Sequence, residues 1–142
     1  MTDPISGSLH LIRSFAGTLS AEPDPLGSRE EAAAWLRAAG LLPAAAGLTG
    51  SEHAALLRLR DAAGDVLAAH ADDREDPGAA ARLTRALAEG RLVVTVDAGS
   101  TVRLASAARA SYPSVVAAFA VAIAELAAAD TWRGLTGSGP ER

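Results

Sequence analysis

Arg60 is the residue whose type and position most need a chemical explanation. It follows Leu56 by four positions and precedes Ala63 by three, so at helical spacing it falls inside an apolar stripe that also contains Leu59 and Leu67. An unpaired buried charge costs several kcal/mol, and the guanidinium therefore needs partners. Two interpretations follow: a buried ion pair or a cap on a neighbouring helix end, and an anchor for an anionic ligand.

Another arginine and the two tryptophans are the next candidates for a ligand-binding or structural role. Arg13 lies close to the apolar face of the first predicted helix, and it has the same pair of interpretations as Arg60. Trp35 and Trp132 are large aromatic side chains of the kind that anchor cores and interfaces more often than they line a cofactor site.

The histidines offer little catalytic or metal-binding chemistry. His10, His53 and His70 are far apart in sequence, and none has the spacing of a zinc motif, so surface or capping roles are favoured. His10 and Ser14 stand four residues apart and could resemble a base and a nucleophile, but no third group orients them. We predict no catalytic residue, no metal ligand and no cofactor.

The composition limits the classes of function. The 142 residues include no cysteine, lysine, asparagine or glutamine, and the formal net charge is −4. Disulfides, thiolate chemistry and lysine Schiff bases are therefore excluded. The acidic balance also argues against binding to the phosphate backbone of nucleic acids. The N-terminus lacks a basic segment followed by an apolar run, so we expect no secretion signal and a cytoplasmic protein.

The elements that must position these residues are organised around Tyr112–Asp130. This stretch has no charged residue before Glu125 and is too short to span a membrane, so it predicts a buried core helix with Val116, Phe119, Ile123 and Leu126 as its heaviest stripe. Capping signals and helical spacing predict four earlier helices, near residues 9–19, 32–39, 49–70 and 77–89.

The period then changes from helical to alternating. Leu92–Val96 and Val102–Leu104 are β-branched and flank a turn, which predicts a β-hairpin. The predicted fold is mainly α (α+β): a five-helix body around a central apolar helix, with one β-hairpin between helices four and five. We expect one domain over residues 1–133 and a flexible tail over 134–142. Because a lone hairpin is marginal in water, its apolar face should lie on helices or on a partner's strands, and the second arrangement would give a homodimer.

Short motifs along the chain resemble the ABATE domain of the CGNR zinc-finger proteins. Phe15-Ala-Gly-Thr18 stands where that family has Phe-x-Asn-Thr, and the segment Glu31–Leu42 is similar to its Trp-Leu and Gly-Leu signature. Further similarity lies in Leu56–Leu67, with Leu59-Arg60, in Ala80–Leu87 and in Leu126–Leu135. The asparagine of the first motif is Gly17 here, and the family's cysteine-containing zinc ribbon is absent from this sequence.

The resemblance implies a sensing or assembly domain of a stress-induced transcription regulator. In the family the ribbon is the nucleic-acid-binding part, so this chain by itself is expected not to bind nucleic acid or a membrane. We expect a non-enzymatic domain that binds a small ligand, with Arg60, Arg13, Thr18 and Trp35 as the ligand-binding residues. A purely structural homodimerisation domain is the alternative, and a small hydrolase using His10 or Arg60 is less favoured.

We predict no measurable binding to duplex DNA at physiological salt, because the net charge is negative and no asparagine or glutamine is present to read adenine. A mobility-shift assay with a random-sequence duplex checks this. Tight binding that weakens steeply with added salt would contradict the prediction.

Overall fold

A computed structural model of the chain describes residues 4–90, 92–106 and 112–135. The described part is mainly helical, as predicted, with an antiparallel hairpin between the fourth and fifth α-helices. The elements are α1 (Pro4–Gly17), α2 (Arg29–Ala38), α3 (Gly50–Ala71), α4 (Pro77–Leu87), β1 (Leu92–Val96), β2 (Val102–Ser106) and α5 (Tyr112–Ala128). Two short 3₁₀ helices, Thr18–Ser20 and Trp132–Gly134, follow α1 and α5.

The helix starts are fixed by side-chain caps that the sequence predicts. Ser28 Oγ accepts a hydrogen bond from the Glu31 N–H at 3.0 Å at the start of α2. Thr49 and Glu52 form a reciprocal capping box at the start of α3, with bonds of 2.9 and 3.1 Å. Each such cap contributes about 1 kcal/mol to stability, so these boundaries are well determined by local chemistry.

Helix α5 supplies much of the apolar core. Val115, Val116, Phe119 and Leu126 are almost fully buried, and the Phe119 ring stacks on Phe15 of α1 with centroids 4.3 Å apart. The helix ends at Ala128, two residues earlier than predicted. Asp130 there takes a positive φ of 62°, and the Thr131 N–H bonds back to the Leu126 carbonyl at 2.8 Å.

The predicted enclosure of α5 on nearly every face is incomplete. The helix packs on α1, α4 and β2, whereas the long helix α3 packs chiefly on α4. Val121 and Ile123 are consequently only half-buried. Alanines make up much of the uncovered side, and a small methyl group exposed to water costs little. The apolar pattern therefore overestimated how far the helix is surrounded.

The hairpin is closed by Asp97, whose Oδ1 accepts hydrogen bonds from the N–H groups of Gly99 and Thr101 at 2.9 and 3.0 Å. Its base is held against α5 at Gly90. A Cβ atom added to Gly90 would lie 2.8 Å from the Ala117 backbone nitrogen, so only glycine allows this approach. One face of the hairpin is not covered by the described helices, so the expected cover on that face is not found within the described part of the chain.

The packed body continues through Leu135. This side chain is buried, although the sequence places it in the predicted flexible tail 134–142. Residues 136–142 lie outside the described residues, so the rest of that prediction is not addressed. Within the described ranges, the helices are too short or too polar to traverse a lipid bilayer.

We predict that Gly90→Ala lowers the free energy of unfolding by about 2 kcal/mol, because the added methyl group would overlap the α5 backbone, which cannot move aside cheaply. Urea denaturation measures the change. Gly17→Ala is the control: Gly17 has helical angles and nothing lies within 4 Å of its Cβ position, so the substitution should leave stability unchanged or raise it slightly. Equal effects of the two substitutions would contradict the prediction.

Candidate functional site

Arg60 forms a two-pronged ion pair with Asp24. Its Nη1 lies 2.7 Å from Asp24 Oδ1 and its Nη2 lies 3.0 Å from Asp24 Oδ2, which is the parallel geometry that a guanidinium and a carboxylate favour. The Arg60 side chain is 8% exposed and that of Asp24 is 41% exposed. The ion-pair interpretation of Arg60 is therefore confirmed, with its partner in the loop between α1 and α2.

Thr18 completes this cluster. Arg60 Nη1 also donates to Thr18 Oγ1 at 3.1 Å, and the same hydroxyl donates to the Phe15 carbonyl at 2.7 Å. Because the hydroxyl proton is used on Phe15, an oxygen lone pair remains to accept from Arg60. Thr18 thus joins the end of α1 to the middle of α3.

The loop that carries Asp24 is held by further bonds. Asp24 Oδ1 accepts from the Leu26 N–H at 2.9 Å, and His53 Nε2 lies 2.8 Å from the Leu26 carbonyl. The bond from Arg60, followed by the bond from Leu26, holds the pKa of Asp24 below its ordinary value. The Nε of Arg60 is buried without a hydrogen-bond partner among the described residues. Both terminal nitrogens already bond Asp24, so the carboxylate occupies the two-pronged position that an anionic ligand would favour.

The other two predicted ligand-binding residues lie apart from this cluster. Arg13 is exposed on α1. Trp35 is half-buried, with its ring centroid 6.0 Å from that of Phe15, and it lines a shallow cleft of about 530 Å³ between α1 and the end of α2. His10 and Ser14 line the same cleft, with Nε2 and Oγ 3.4 Å apart. That separation is long for a working base and nucleophile.

A second cleft, which the sequence reasoning missed, lies where the end of α3, the start of α4 and the 3₁₀ helix Trp132–Gly134 meet. We call it the His70–Trp132 cleft. Its volume is about 410 Å³. It is lined by Val66, Ala69, His70, Arg74, Glu75, Asp76, Pro77, Ala80, Trp132 and Arg133. Apolar side chains and the Trp132 ring make up much of its wall, and charged groups lie among them, which is the usual composition of a small-molecule site.

His70 is held in a defined orientation in this cleft. Its Nδ1 lies 2.9 Å from the Leu135 carbonyl oxygen, and its ring meets that of Trp132 edge-on, with centroids 5.1 Å apart. A carbonyl can only accept, so Nδ1 carries the proton and Nε2 is the unprotonated nitrogen of the neutral ring. The same contact ties the segment after α5 to the end of α3.

The charges around the cleft differ in their pairing. Arg74 contacts Asp72 and Asp76, each at 3.3 Å, and these bonds hold the pKa of Arg74 above its ordinary value. Asp76 also caps α4, and the bond from the Ala79 N–H, with a smaller contribution from Arg74, keeps the pKa of Asp76 low. Arg133 is exposed, and no ion pair joins it to another described residue. It is therefore the cation in this cleft that is available to a ligand.

Sequence reasoning considered His70 and Trp132 separately but did not bring them together. His70 and Trp132 are separated by 62 positions, and their contact depends on how the chain turns after α5. The one local signal was the pair Trp132-Arg133 directly after an apolar helix. Among the described residues, no three histidine or acidic side chains form a group that could hold a metal ion.

Comparison with known proteins gives one match. The family model ABATE, described as "Putative stress-induced transcription regulator", matches residues 9–131, which is most of the chain. Neither the curated proteins nor the solved structures contain a match to this sequence.

We predict that Asp24→Asn destabilises the protein by about 2 kcal/mol at neutral pH, because it leaves the buried Arg60 without a carboxylate. The loss should be smaller than the roughly 3–5 kcal/mol typical of a fully buried pair, since Asp24 is partly exposed. Asp24 has a lowered pKa in the folded protein, so its stabilisation is complete above its ordinary pKa of about 4 and disappears as the pH falls through the lowered value.

Urea denaturation of the wild type and of Asp24→Asn from neutral to strongly acidic pH checks this, and the two curves should converge in acid. Asp65→Asn is the control, because the pair between Asp65 and Arg82 is exposed on both sides and should be worth less than about 1 kcal/mol. A difference between wild type and Asp24→Asn that stays constant with pH would show that the carboxylate charge is not responsible.

Proposed function

Because this chain belongs to the ABATE family, which is described as "Putative stress-induced transcription regulator", we propose that it is a non-enzymatic regulatory domain that binds a small molecule in the His70–Trp132 cleft. The observation that carries the proposal is the cleft itself: an oriented histidine, a tryptophan and an arginine without an ion pair to any described residue meet in a partly apolar depression. A cytoplasmic location belongs to the same proposal, supported by the absence of cysteine.

The chemistry of the lining suggests the class of ligand. The Trp132 ring favours a flat aromatic body. Arg133 has no carboxylate partner among the described residues, whereas Arg74 is already paired, so an anionic group on the ligand would find its partner in Arg133. Nε2 of neutral His70 accepts a hydrogen bond, and the protonated ring donates one. A planar aromatic anion of modest size fits these features and the cleft volume.

The same residues explain why the proposal is binding and not catalysis. Among the described residues, those that line the cleft include no serine, threonine or cysteine, so they offer no side-chain nucleophile of those types. His70 is oriented by a backbone carbonyl and not by a carboxylate, so it lacks the third member of a catalytic triad. The hydrolase alternative rests on the His10–Ser14 pair. Among the described residues, no third group bonds His10 to complete a catalytic triad.

A ligand in this cleft would act on the segment after α5. Trp132 and Arg133 belong to that segment, while His70 and Arg74 belong to the end of α3 and the loop after it. A molecule that contacts both sides would add to the bond between His70 and Leu135 and hold the segment more firmly. Ligand binding would thereby be linked to the order of residues 132–135, which is how the domain could report an occupied cleft.

We predict that anilinonaphthalene sulfonate, a flat aromatic anion, binds this cleft and that Arg133→Glu weakens its affinity roughly tenfold or more, because the available cation is replaced by an anion. Titration followed by probe fluorescence measures the affinity. Arg29→Glu is the control: Arg29 is exposed at the start of α2, away from the cleft lining, and the substitution changes the net charge equally.

The two tryptophans then locate the probe. Energy transfer from tryptophan to the bound probe should fall more in Trp132→Phe than in Trp35→Phe, since Trp132 lines the cleft proposed to hold the probe and Trp35 lines a different one. Equal affinities of Arg133→Glu and Arg29→Glu, or a larger fall in transfer in Trp35→Phe than in Trp132→Phe, would place binding elsewhere and refute the proposal for this cleft.

A further inference from the structure

Exposed large hydrophobic side chains are concentrated on one face of the hairpin. Six such side chains are exposed in the described part of the chain, and five of them belong to this face, with Leu19 as the sixth. The five, between 38% and 65% exposed, are Leu92, Val94, Val96, Val102 and Leu104. The strand register places Val94 opposite Leu104 and Val96 opposite Val102, so they form one continuous surface, which we call the hairpin face.

Within the described residues, the hairpin face has no apolar cover, since its five hydrophobic side chains are exposed. The helices leave it open, and the residues outside the described ranges are mostly small, polar or charged. They read Met-Thr-Asp at 1–3, Arg at 91, Ala-Ala-Arg-Ala-Ser at 107–111 and Thr-Gly-Ser-Gly-Pro-Glu-Arg at 136–142. Met1 is the one large hydrophobic residue among them. These residues offer little apolar surface, which favours a second molecule as the cover.

The chemistry of the hairpin face favours a second copy of the same chain. The face presents leucine and valine, with Ser106 opposite Leu92, and it carries no charged residue and no proline. Those are the residues by which exposed strands usually avoid association. An uncharged surface offers nothing to an acidic or basic partner, whereas an identical apolar surface complements it fully. A two-fold axis brings such surfaces together.

The size of the hairpin face agrees with a weak, reversible dimer. The five partly exposed side chains present roughly 400 Å² of apolar surface, comparable to the largest patch on a typical monomer, which is often functional. Two copies would bury about 1,000 Å² in total once the surrounding backbone is included, at the low end for a specific interface. The face is also presented firmly, because Gly90 holds the hairpin base on α5 and Asp97 closes its turn.

We propose that the chain forms a homodimer in which two hairpins pack face to face about a two-fold axis near the Val94–Leu104 pair. This pair is central because Leu92–Ser106 and Val96–Val102 flank it on either side. Face-to-face packing is the arrangement that removes all five hydrophobic side chains from water at once. The proposal depends on none of the residues of the His70–Trp132 cleft, so either proposal can fail without the other.

Charge substitutions at Val94 test the dimer and its geometry together. Val94 is exposed, so Val94→Lys and Val94→Glu should fold normally, which circular dichroism checks. Each variant alone should dimerise at least roughly tenfold more weakly than the wild type, because two like charges would be buried together. An equimolar mixture of the two should regain association as a heterodimer, since the opposite charges then face each other across the axis.

Analytical ultracentrifugation over a wide concentration range measures all four samples. Leu19→Lys and Leu19→Glu are the matched controls, because they make the same charge changes at the exposed large hydrophobic residue outside the hairpin face, and they should dimerise as the wild type does. A wild type that stays monomeric up to about millimolar concentration would overturn the proposal and leave the face to a different protein. Unchanged dimerisation of the Val94 variants, or a mixture that fails to associate, would also overturn it.

Discussion

A charged side chain that is buried among helices needs an opposite charge and hydrogen-bond partners beside it. The arrangement around Arg60 follows from that requirement. The guanidinium sits on the buried side of α3, where only a carboxylate and additional acceptors can replace the water it has lost. Asp24 supplies the carboxylate and Thr18 supplies an acceptor, so the end of α1 and the loop that follows it are drawn onto α3. The helices thereby acquire a fixed relation that apolar packing alone would specify less tightly.

Much of the fold could be predicted from signals that act within a few residues of the sequence. The caps at Ser28, Thr49 and Asp76, and the change of period at Leu92, each act within a few residues and could be recognised without coordinates. The apolar stripe around Arg60 likewise indicated that its guanidinium needed a hydrogen-bonding or charged partner. What the sequence could not show is which carboxylate would provide it, because Asp24 is 36 positions away and is brought there by the path of a loop.

The candidate cleft was hidden for a related reason. The residues that form it come from the end of α3, the start of α4 and the turn after α5, and no periodic pattern connects them. The four residues expected to bind a ligand do not lie together in the fold. Thr18 and Arg60 contact each other, whereas Trp35 lines the cleft between α1 and α2 and Arg13 is exposed. Along the chain, helix α5 lies between the hairpin face and the cleft residues Trp132 and Arg133. The helix is about 25 Å long.

The stacked rings of Phe15 and Phe119 give this molecule a built-in spectroscopic probe. They are the two phenylalanines of the sequence, and both lie in the contact between α1 and α5, with ring planes inclined by 25°. Fluorinated phenylalanine incorporated in place of both would therefore give a spectrum that reports on that single helix contact. Each ring would sense the shielding of the other, so slippage of α5 along α1 would appear directly as a change in chemical shift.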